Sequence, residues 1–444
     1  MKTTRALLLS LFAVGGVVYA QEPTESGASD SDAVELDEAA IAEAVDSYFD
    51  KEGFVRASYG KKGFRLESRD GNFQTNLQWR AQLRATTPYR SDPRQLSSFD
   101  KEELTAEGRR LRMKIGGHGY RPWLKYYFEV DLQPTRSLDN SSAGSSARVI
   151  DWRIDVAKSK EFGIRVGQWK IDYNRERVDS SGRQQFVERS IINRTFTVDR
   201  QMGVGFRGRL FEGTGADLRY HAGVFTGEGR GVSNDDNNPM YVARLQWNFL
   251  GRDLALRQTD VERTEKPTGS FALGGASHTG RATRWSSSGG GNLDGFSSVS
   301  DAAEGQYRIN QAVAELAYKH RGFSTQNEFH WKQIEDTTLG QGLAGRRNEL
   351  YGYYSQHGYF FNEIFPSFPE ELELAVRYAW LTEPNADDFN FENERQEFTL
   401  GSNWFFNGHN NKLSLDYSYL TIDDGAMGVD DDGHRVRLQW DISF

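Results

Sequence analysis

The sequence predicts an all-β protein: a transmembrane antiparallel β-barrel of about 16 strands, preceded by a short N-terminal arm, disordered then helical, on the periplasmic side. Three observations predict it. Segments of about ten residues alternate apolar and polar side chains, so each has one greasy and one wet face. The connections between segments alternate short and long. The last segment ends the chain on Phe444.

Composition hides this architecture. Of 444 residues, 37% are hydrophobic, and the mean hydropathy is −0.69. Beyond residue 20 no stretch offers the roughly 18 consecutive apolar positions of a spanning helix. A barrel escapes that test because only every second residue meets lipid. Aromatics reach 13%, many of them Tyr and Trp, which gather at membrane interfaces. Cys is absent, which removes disulfides, thiol catalysis and thiolate metal sites together.

Residues 1–20 read as a signal peptide. Lys2 and Arg5 precede an apolar run from Ala6 to Val18, and Val18-Tyr19-Ala20 forms a small-residue cleavage site before Gln21. Export to the outer membrane of a Gram-negative cell is therefore expected. Residues 21–59 form an acidic arm. Its positions 22–33 are small, polar and acidic, and read as disordered. Over 34–49, Ile41, Val45, Tyr48 and Phe49 recur at helical spacing, for a docking helix or a fraying linker. The formal charge of −9 is uneven: the signal carries +2 and residues 22–52 carry −10, leaving −1 for the rest.

Residues 60–444 are assigned to the barrel. Around 72–85, Phe73, Leu77, Trp79, Ala81 and Leu83 share one face, while Gln74, Asn76, Gln78, Arg80, Gln82 and Arg84 share the other. The same alternation runs through 109–117, 123–133, 148–158, 162–171, 201–211, 215–226, 240–250 and 269–276. It continues through 307–319, 323–334, 350–361, 370–381, 394–406, 412–421 and 434–444. The segments 269–276 and 350–361 show it most weakly. A soluble sandwich also alternates, but its strands run nearer five or six residues. Short turns at 118–122, 159–161, 212–214, 320–322 and 407–411 face long loops such as 86–108, 134–147, 172–200 and 277–306. Residues 251–268 break the alternation, being long where a short turn belongs. The Gly- and Ser-rich loop 277–306 reads as mobile. In the last segment Val436, Leu438, Trp440, Ile442 and Phe444 share one face, and Trp440, Ile442 and Phe444 resemble the signal read by the outer-membrane assembly machinery.

With the apolar faces given to outer-membrane lipids and lipopolysaccharide, the polar faces line a water-filled lumen. Its basic candidates are Arg80, Arg84, Arg110, Arg112, Lys114, Lys125, Arg153, Arg165, Arg207, Arg209, Arg219, Arg244, Lys319, Lys332, Arg377, Arg435 and Arg437. Acids on the same faces are fewer: Glu129, Asp131, Asp151, Asp155, Glu315, Glu328, Glu373, Asp416 and Asp441. Rings of Arg and Lys select anions, and a guanidinium bonds two oxyanion oxygens in a plane. A wall of opposed charges that merely holds water fits the same residues. Loop 172–200 carries Arg175, Arg177, Arg183 and Arg189 beside Phe186, Val187, Ile191 and Ile192, which need burial. Folding into the pore as a constriction satisfies both needs; packing outward on neighbouring loops is the alternative.

No catalytic constellation is present: GxSxG, HExxH and Walker loops are missing. A barrel enzyme or adhesin stays a lesser alternative. The acids Asp423, Asp424, Asp430, Asp431 and Asp432 do not meet EF-hand spacing and read as a solvated loop. No metal, cofactor or nucleic-acid partner is expected.

Taken in order, GFRLESRDGNFQTNLQWRAQLR (63–84), RRLRMKIGG (109–117), YYFEVDLQ (126–133), IRVGQWKIDYNRERVDSSGRQQFVERS (164–190) and EKP (265–267) resemble the phosphate-selective porin O/P family. The resemblance implies a sixteen-stranded homotrimeric porin passing phosphate or related small anions, with inward-folding loops. It adds Lys170 to the pore-lining set, matches Arg109, Arg110 and Arg112 to the basic second strand, and matches Gln168, Glu176, Glu188 and Arg189 to the fifth-strand block. Asp172 and Tyr173 depart from the family's Pro-Phe, and a carboxylate there weakens anion attraction. Pyrophosphate, an organic acid or a sugar remain alternative solutes.

Overall fold

The computed structural model describes Glu43, Ser47 and residues 55–60, 62–132, 147–234 and 236–444. The expected signal peptide, the disordered stretch 22–33 and most of loop 134–147 lie outside the described residues. Of the expected helix 34–49, only Glu43 and Ser47 are described, and both are helical. The chain divides into the units Met1–Gly53 and Phe54–Phe444, and the barrel belongs to the second.

Sixteen antiparallel strands close into that barrel. They are β3 (Gln74–Thr87), β4 (Thr105–His118), β5 (Leu124–Asp131), β6 (Arg148–Val156), β7 (Gly163–Lys170), β8 (Arg200–Leu210), β9 (Leu218–Phe225), β10 (Met240–Trp247) and β11 (Thr268–Gly280). The rest are β14 (Tyr307–His320), β15 (Phe323–Asp336), β16 (Arg347–Tyr359), β17 (Leu372–Pro384), β18 (Glu392–Asn407), β19 (Asn411–Asp424) and β20 (Val429–Ser443). They match the sixteen predicted segments one to one. β20 pairs with β3 from Val436↔Thr87 to Ser443↔Arg80 and closes the sheet. Closure leaves no open edge in the membrane, where an unpaired backbone group costs several kcal/mol.

Two hairpins were not expected. β1 (Arg56–Gly60), within the stretch assigned to the arm, pairs with β2 (Gly63–Glu67), and β2 pairs with the start of β3. Gly63, at φ 80°, makes that turn. Phe444 lies between the two partners of β3: its N–H donates to the Trp79 carbonyl at 3.0 Å, and its carbonyl accepts the Trp79 N–H at 3.1 Å. The second hairpin, β12 (Arg284–Ser286) with β13 (Gly289–Gly291), lies in the loop expected to be mobile. Its Trp285 is buried, and the indole N–H donates to the Gly227 carbonyl at 2.6 Å, which fixes the loop.

Trp79, Leu83, Leu245, Leu273, Phe329, Leu400 and Leu438 stand exposed on the outer wall, while alternate residues point inward and are buried. An apolar belt of that extent costs about 25 cal/mol per Å² in water and nothing against acyl chains. This separates the barrel from a soluble sandwich. The end bearing the short turns and the C-terminus is the one the sequence assigns to the periplasm, and the two ends are named accordingly. The anomalous connection 251–268 folds from that end into the lumen. The N–H of Gln258 donates to Asp179 Oδ2 at 3.2 Å, and the Thr259 carbonyl accepts Lys319 Nζ at 2.5 Å.

Candidate functional site

Loop 172–200 leaves β7 and crosses the lumen with two single-turn helices, α1 (Arg175–Val178) and α2 (Asn193–Phe196). Its apolar residues direct it. Tyr173, Phe186, Val187, Ile191, Ile192 and Phe196 are each no more than 2% exposed. Most of them join one cluster with the inward-facing Ile309 and Val313 of β14 and Leu350 and Tyr354 of β16. The loop therefore packs its apolar residues against the β14–β16 wall, while its Ser180, Ser181 and Glu188 also bond Arg80, Gln82 and Arg84 of β3.

Wall carboxylates hold the loop, mostly by its main chain. Irregular backbone buried inside a barrel needs acceptors for its N–H groups, and charged acceptors bond about twice as strongly as neutral ones. Glu315 of β14 accepts the Arg175 N–H at 3.1 Å, and Glu328 of β15 accepts the Glu176 N–H at 2.6 Å. Asp416 of β19 accepts the Val187 N–H at 2.8 Å, and Glu397 of β18 accepts the Ile191 N–H at 2.9 Å. Glu373 of β17 accepts Gln185 Nε2 at 2.7 Å. The inward segment 251–268 meets the loop from below: the Ala255 carbonyl accepts Arg175 Nη1 at 2.8 Å, and Gln258 Oε1 accepts the Gln185 N–H at 2.7 Å.

Two cavities flank the loop. The periplasmic one, about 810 Å³, is lined by ten basic residues, among them Arg112, Lys114, Arg153, Arg165, Lys170, Arg183, Arg207 and Arg219, and by four acids, Glu129, Asp151, Asp155 and Asp172. The extracellular one, about 350 Å³, is lined by ten arginines, among them Arg84, Arg109, Arg110, Arg177, Arg189 and Arg437, and by two acids, Asp92 and Glu188. Four wall acids from the sequence, Glu315, Glu328, Glu373 and Asp416, face neither cavity, because they bond the loop.

In the lining of the extracellular cavity, Glu188 meets three guanidinium groups. Its Oε1 accepts Arg84 Nη1 at 2.9 Å, Arg109 Nε at 3.2 Å and Arg110 Nη2 at 3.3 Å. A register shift explains how two consecutive arginines reach one carboxylate. Gln82 pairs with Arg110 and Leu83 with Gly108, so Arg109 is the extra residue of a bulge. Burial opposes ionisation of Glu188, but Arg110, Arg84 and Arg109 outweigh it and hold the carboxyl well below the usual carboxylate range.

In the periplasmic cavity, Arg112 pairs with Glu129 at 3.1 Å, and Arg165 with Asp155 at 2.5 Å. The divergent Asp172 lies 3.2 Å from His221 Nδ1 and 3.9 Å from both Arg165 and Arg207. Burial raises its carboxyl, yet the hydrogen bond with His221 and the nearby guanidinium groups of Arg207 and Arg165 hold it well below the usual range. Its charge is thus compensated locally.

Eight expected pore-lining or constriction residues brace the structure and face neither cavity, among them Lys319, Lys332 and Arg377, which bond the Thr259, Thr195 and Glu188 carbonyls. Arg80 donates to Ser180 Oγ at 2.8 Å and Ser443 Oγ at 3.1 Å. Arg175 reaches the Ala255 carbonyl, and Arg244 pairs with Glu315 at 2.5 Å beneath the loop. Arg209 bonds Asp217 near the β8–β9 turn, and Arg435 pairs with Asp92 at 2.7 Å. Conversely, Arg90, Arg94 and Arg284 line the extracellular cavity without having been selected from the sequence, and Arg194 of the basic loop joins them. Arg90 and Arg94 follow β3 in an irregular loop, Arg284 sits on the three-residue β12 and Arg194 on the single turn α2, none of which carries a period long enough to tell which way a side chain points. Trp440 and Phe444 are exposed on the outer wall at the closing strand. Among the described residues no group of three or more His, Cys, Asp or Glu is placed to hold a metal ion.

A family model described as phosphate-selective porin O and P matches residues 84–442. No curated protein matches the chain at the sequence level. Among solved structures, the chain is similar to the outer membrane channel DcaP of Acinetobacter baumannii: TM-score 0.53, 13% identity, 83% of this chain and 97% of that one. It is also similar to OmpT, an outer membrane protein of Vibrio cholerae: TM-score 0.50, 9% identity, 84% of this chain and 97% of that one. At these identities the likeness concerns the fold.

Proposed function

Because the chain belongs to the phosphate-selective porin O and P family, we propose that it forms a water-filled, anion-preferring diffusion channel in the outer membrane that passes phosphate or related oxyanions. One observation carries this reading: the two cavity linings are basic. Cations outnumber acids there ten to four and ten to two, supplied by the β3–β9 wall, β20 and the loops, whereas the acids of the β14–β19 wall, like its cations Lys332, Arg377 and Lys412, bond the inward loop. A path with such linings attracts anions although the protein as a whole carries −9. Reversal potential in a planar bilayer under a KCl gradient tests the preference. An anion-preferring sign is expected, and a cation-preferring sign overturns the reading. Block of chloride current by inorganic phosphate then separates oxyanion binding from general anion passage.

The wider reading comprises a homotrimer, cleavage after Ala20 and delivery by the outer-membrane assembly machinery through Trp440, Ile442 and Phe444. The family resemblance supports the homotrimer, and the sequence supports the other two. Cross-linking in native membranes, N-terminal sequencing and yield after truncation test them in turn.

A further inference from the structure

We propose that Glu188 is a tethered surrogate for the permeating anion: its carboxylate occupies the cradle of Arg84, Arg109 and Arg110 and must leave it for a solute oxyanion to bind. The proposal rests on the anion-channel reading above.

The first ground is preorganisation. Neutral partners hold two cradle arginines independently of Glu188. Arg84 Nε and Nη2 donate to Gln439 Oε1 at 2.9 and 2.7 Å, and Arg110 Nη1 donates to Gln82 Oε1 at 2.8 Å. A site whose donors stay in place when its occupant departs costs little to refill.

The second ground is the hinge. The main chain at Glu188 is fixed on both sides: the Val187 N–H donates to Asp416 Oδ2 at 2.8 Å, and the Glu188 carbonyl accepts Arg377 Nη1 at 3.0 Å. Side-chain rotation alone therefore withdraws the carboxylate, with the loop still docked. Such rotamer changes are fast compared with loop motion.

The third ground is charge and position. Three guanidinium groups converge on one carboxylate oxygen, within 3.3 Å. The Glu188 side chain is 22% exposed and lines the extracellular cavity, so an entering anion reaches the same donors. A carboxylate presents the geometry that a guanidinium fork also offers to phosphate and other planar or tetrahedral oxyanions. The merely structural alternative, a clamp tying loop to wall, makes the opposite prediction for binding. Without the clamp the cradle loosens and anions bind less well.

The test uses the purified protein reconstituted in a planar bilayer, with inorganic phosphate as the probe. Glu188→Gln removes the competing charge at nearly constant shape. The expected result is a half-blocking phosphate concentration lower by about five- to tenfold, the effect of deleting one like charge some 4 Å away in a wet site, and a higher chloride-to-potassium permeability ratio. Glu188→Asp draws the carboxylate back by one methylene and shifts both readouts the same way by less, which keeps the test decisive should the Gln variant not fold. Unchanged or weaker block in either folded variant overturns the surrogate role. A wild type that prefers cations overturns the anion-channel reading itself, and that result comes from the wild-type reversal potential alone.

Discussion

Replacing Glu397 by Gln probes what holds the loop across the lumen. Glu397 Oε1 accepts Arg377 Nη2 at 2.5 Å and Thr399 Oγ1 at 2.7 Å, while Oε2 accepts the Ile191 N–H. The side chains of Arg377 and Glu397 are each 1% exposed. Arg377 also grips the loop directly, through the Glu188 carbonyl and by stacking 4.4 Å from the Phe186 ring centroid. Removing the hydrogen-bonded charge of such a pair leaves Arg377 only the more distant Glu176 and Asp416, at a cost of about 3 kcal/mol. That cost falls on the docked state, because an undocked loop admits water to Arg377. The undocked population should therefore rise by about 100-fold or more. Trypsin reads that population, since the loop offers Arg175, Arg177, Arg183, Arg189, Arg194 and Arg200, and cleavage tracks opening when reclosure is fast. Single-channel records should show added excursions to higher conductance. A folded Glu397→Gln barrel with wild-type cleavage rate and current noise would refute the carboxylate ladder as the loop's anchor.

The same geometry sets three other outcomes. Arg110→Ala should lower the chloride-to-potassium permeability ratio severalfold, and an unchanged reversal potential removes Arg110 from the selectivity filter. A carboxyl depressed as Glu188 is contributes its interaction above the ordinary carboxylate range and loses it only as pH falls through the depressed value. Chloride selectivity should therefore hold from neutrality to about pH 4; a transition centred in the ordinary carboxylate range contradicts that. Deleting Phe444 removes two backbone bonds to Trp79, worth about 1 kcal/mol each, and the terminal residue of the closing strand. Less folded, heat-modifiable barrel should accumulate in membranes, and wild-type yield speaks against a terminal assembly signal.

The barrel was legible because its physics is periodic. In β3, Trp79 and Leu83 point out while Arg80 and Arg84 point in, and period two encodes that whatever the distant contacts. The weak segments mark where the lumen stops being wet. β16 sends Leu350 and Tyr354 inward, buried under Tyr173 and Phe196 of the loop, and turns Glu349, Ser355 and His357 outward. Asn348 and Gln356 share the inward face and Tyr351, Tyr353 and Tyr359 the outward one, so both faces are mixed and the strand reads as poor alternation. β11 carries Gly274 and Gly275 in mid-strand, which removes the side chains whose alternation would announce it. The hairpin of β1 and β2 is short and its side chains are mostly exposed, so no hydrophobic stripe betrays it.

The site was legible only in part, because lining a pore is a property of two walls and of the loop that fills the space between them. Alternation along one strand tells that Arg244 and Arg110 both face inward. It does not tell that Arg244 faces Glu315 beneath a loop while Arg110 faces a cavity. The same holds for the acids. Counted along strands, Glu315, Glu328, Glu373 and Asp416 dilute the positive lumen, but in space they are taken up by N–H donors of loop 172–200. The loop thereby does two things with one contact surface. It narrows the passage, and it covers wall carboxylates together with the wall cations Lys332, Arg377 and Lys412, so the charge left for a solute is that of the two cavity linings, to which the loop adds Arg177, Arg183 and Arg189. On the proposed anion-channel reading, loop anchoring and anion preference should fail together when the anchoring acids are removed, because the contacts that hold the loop also place Arg177, Arg183 and Arg189 in the cavity linings.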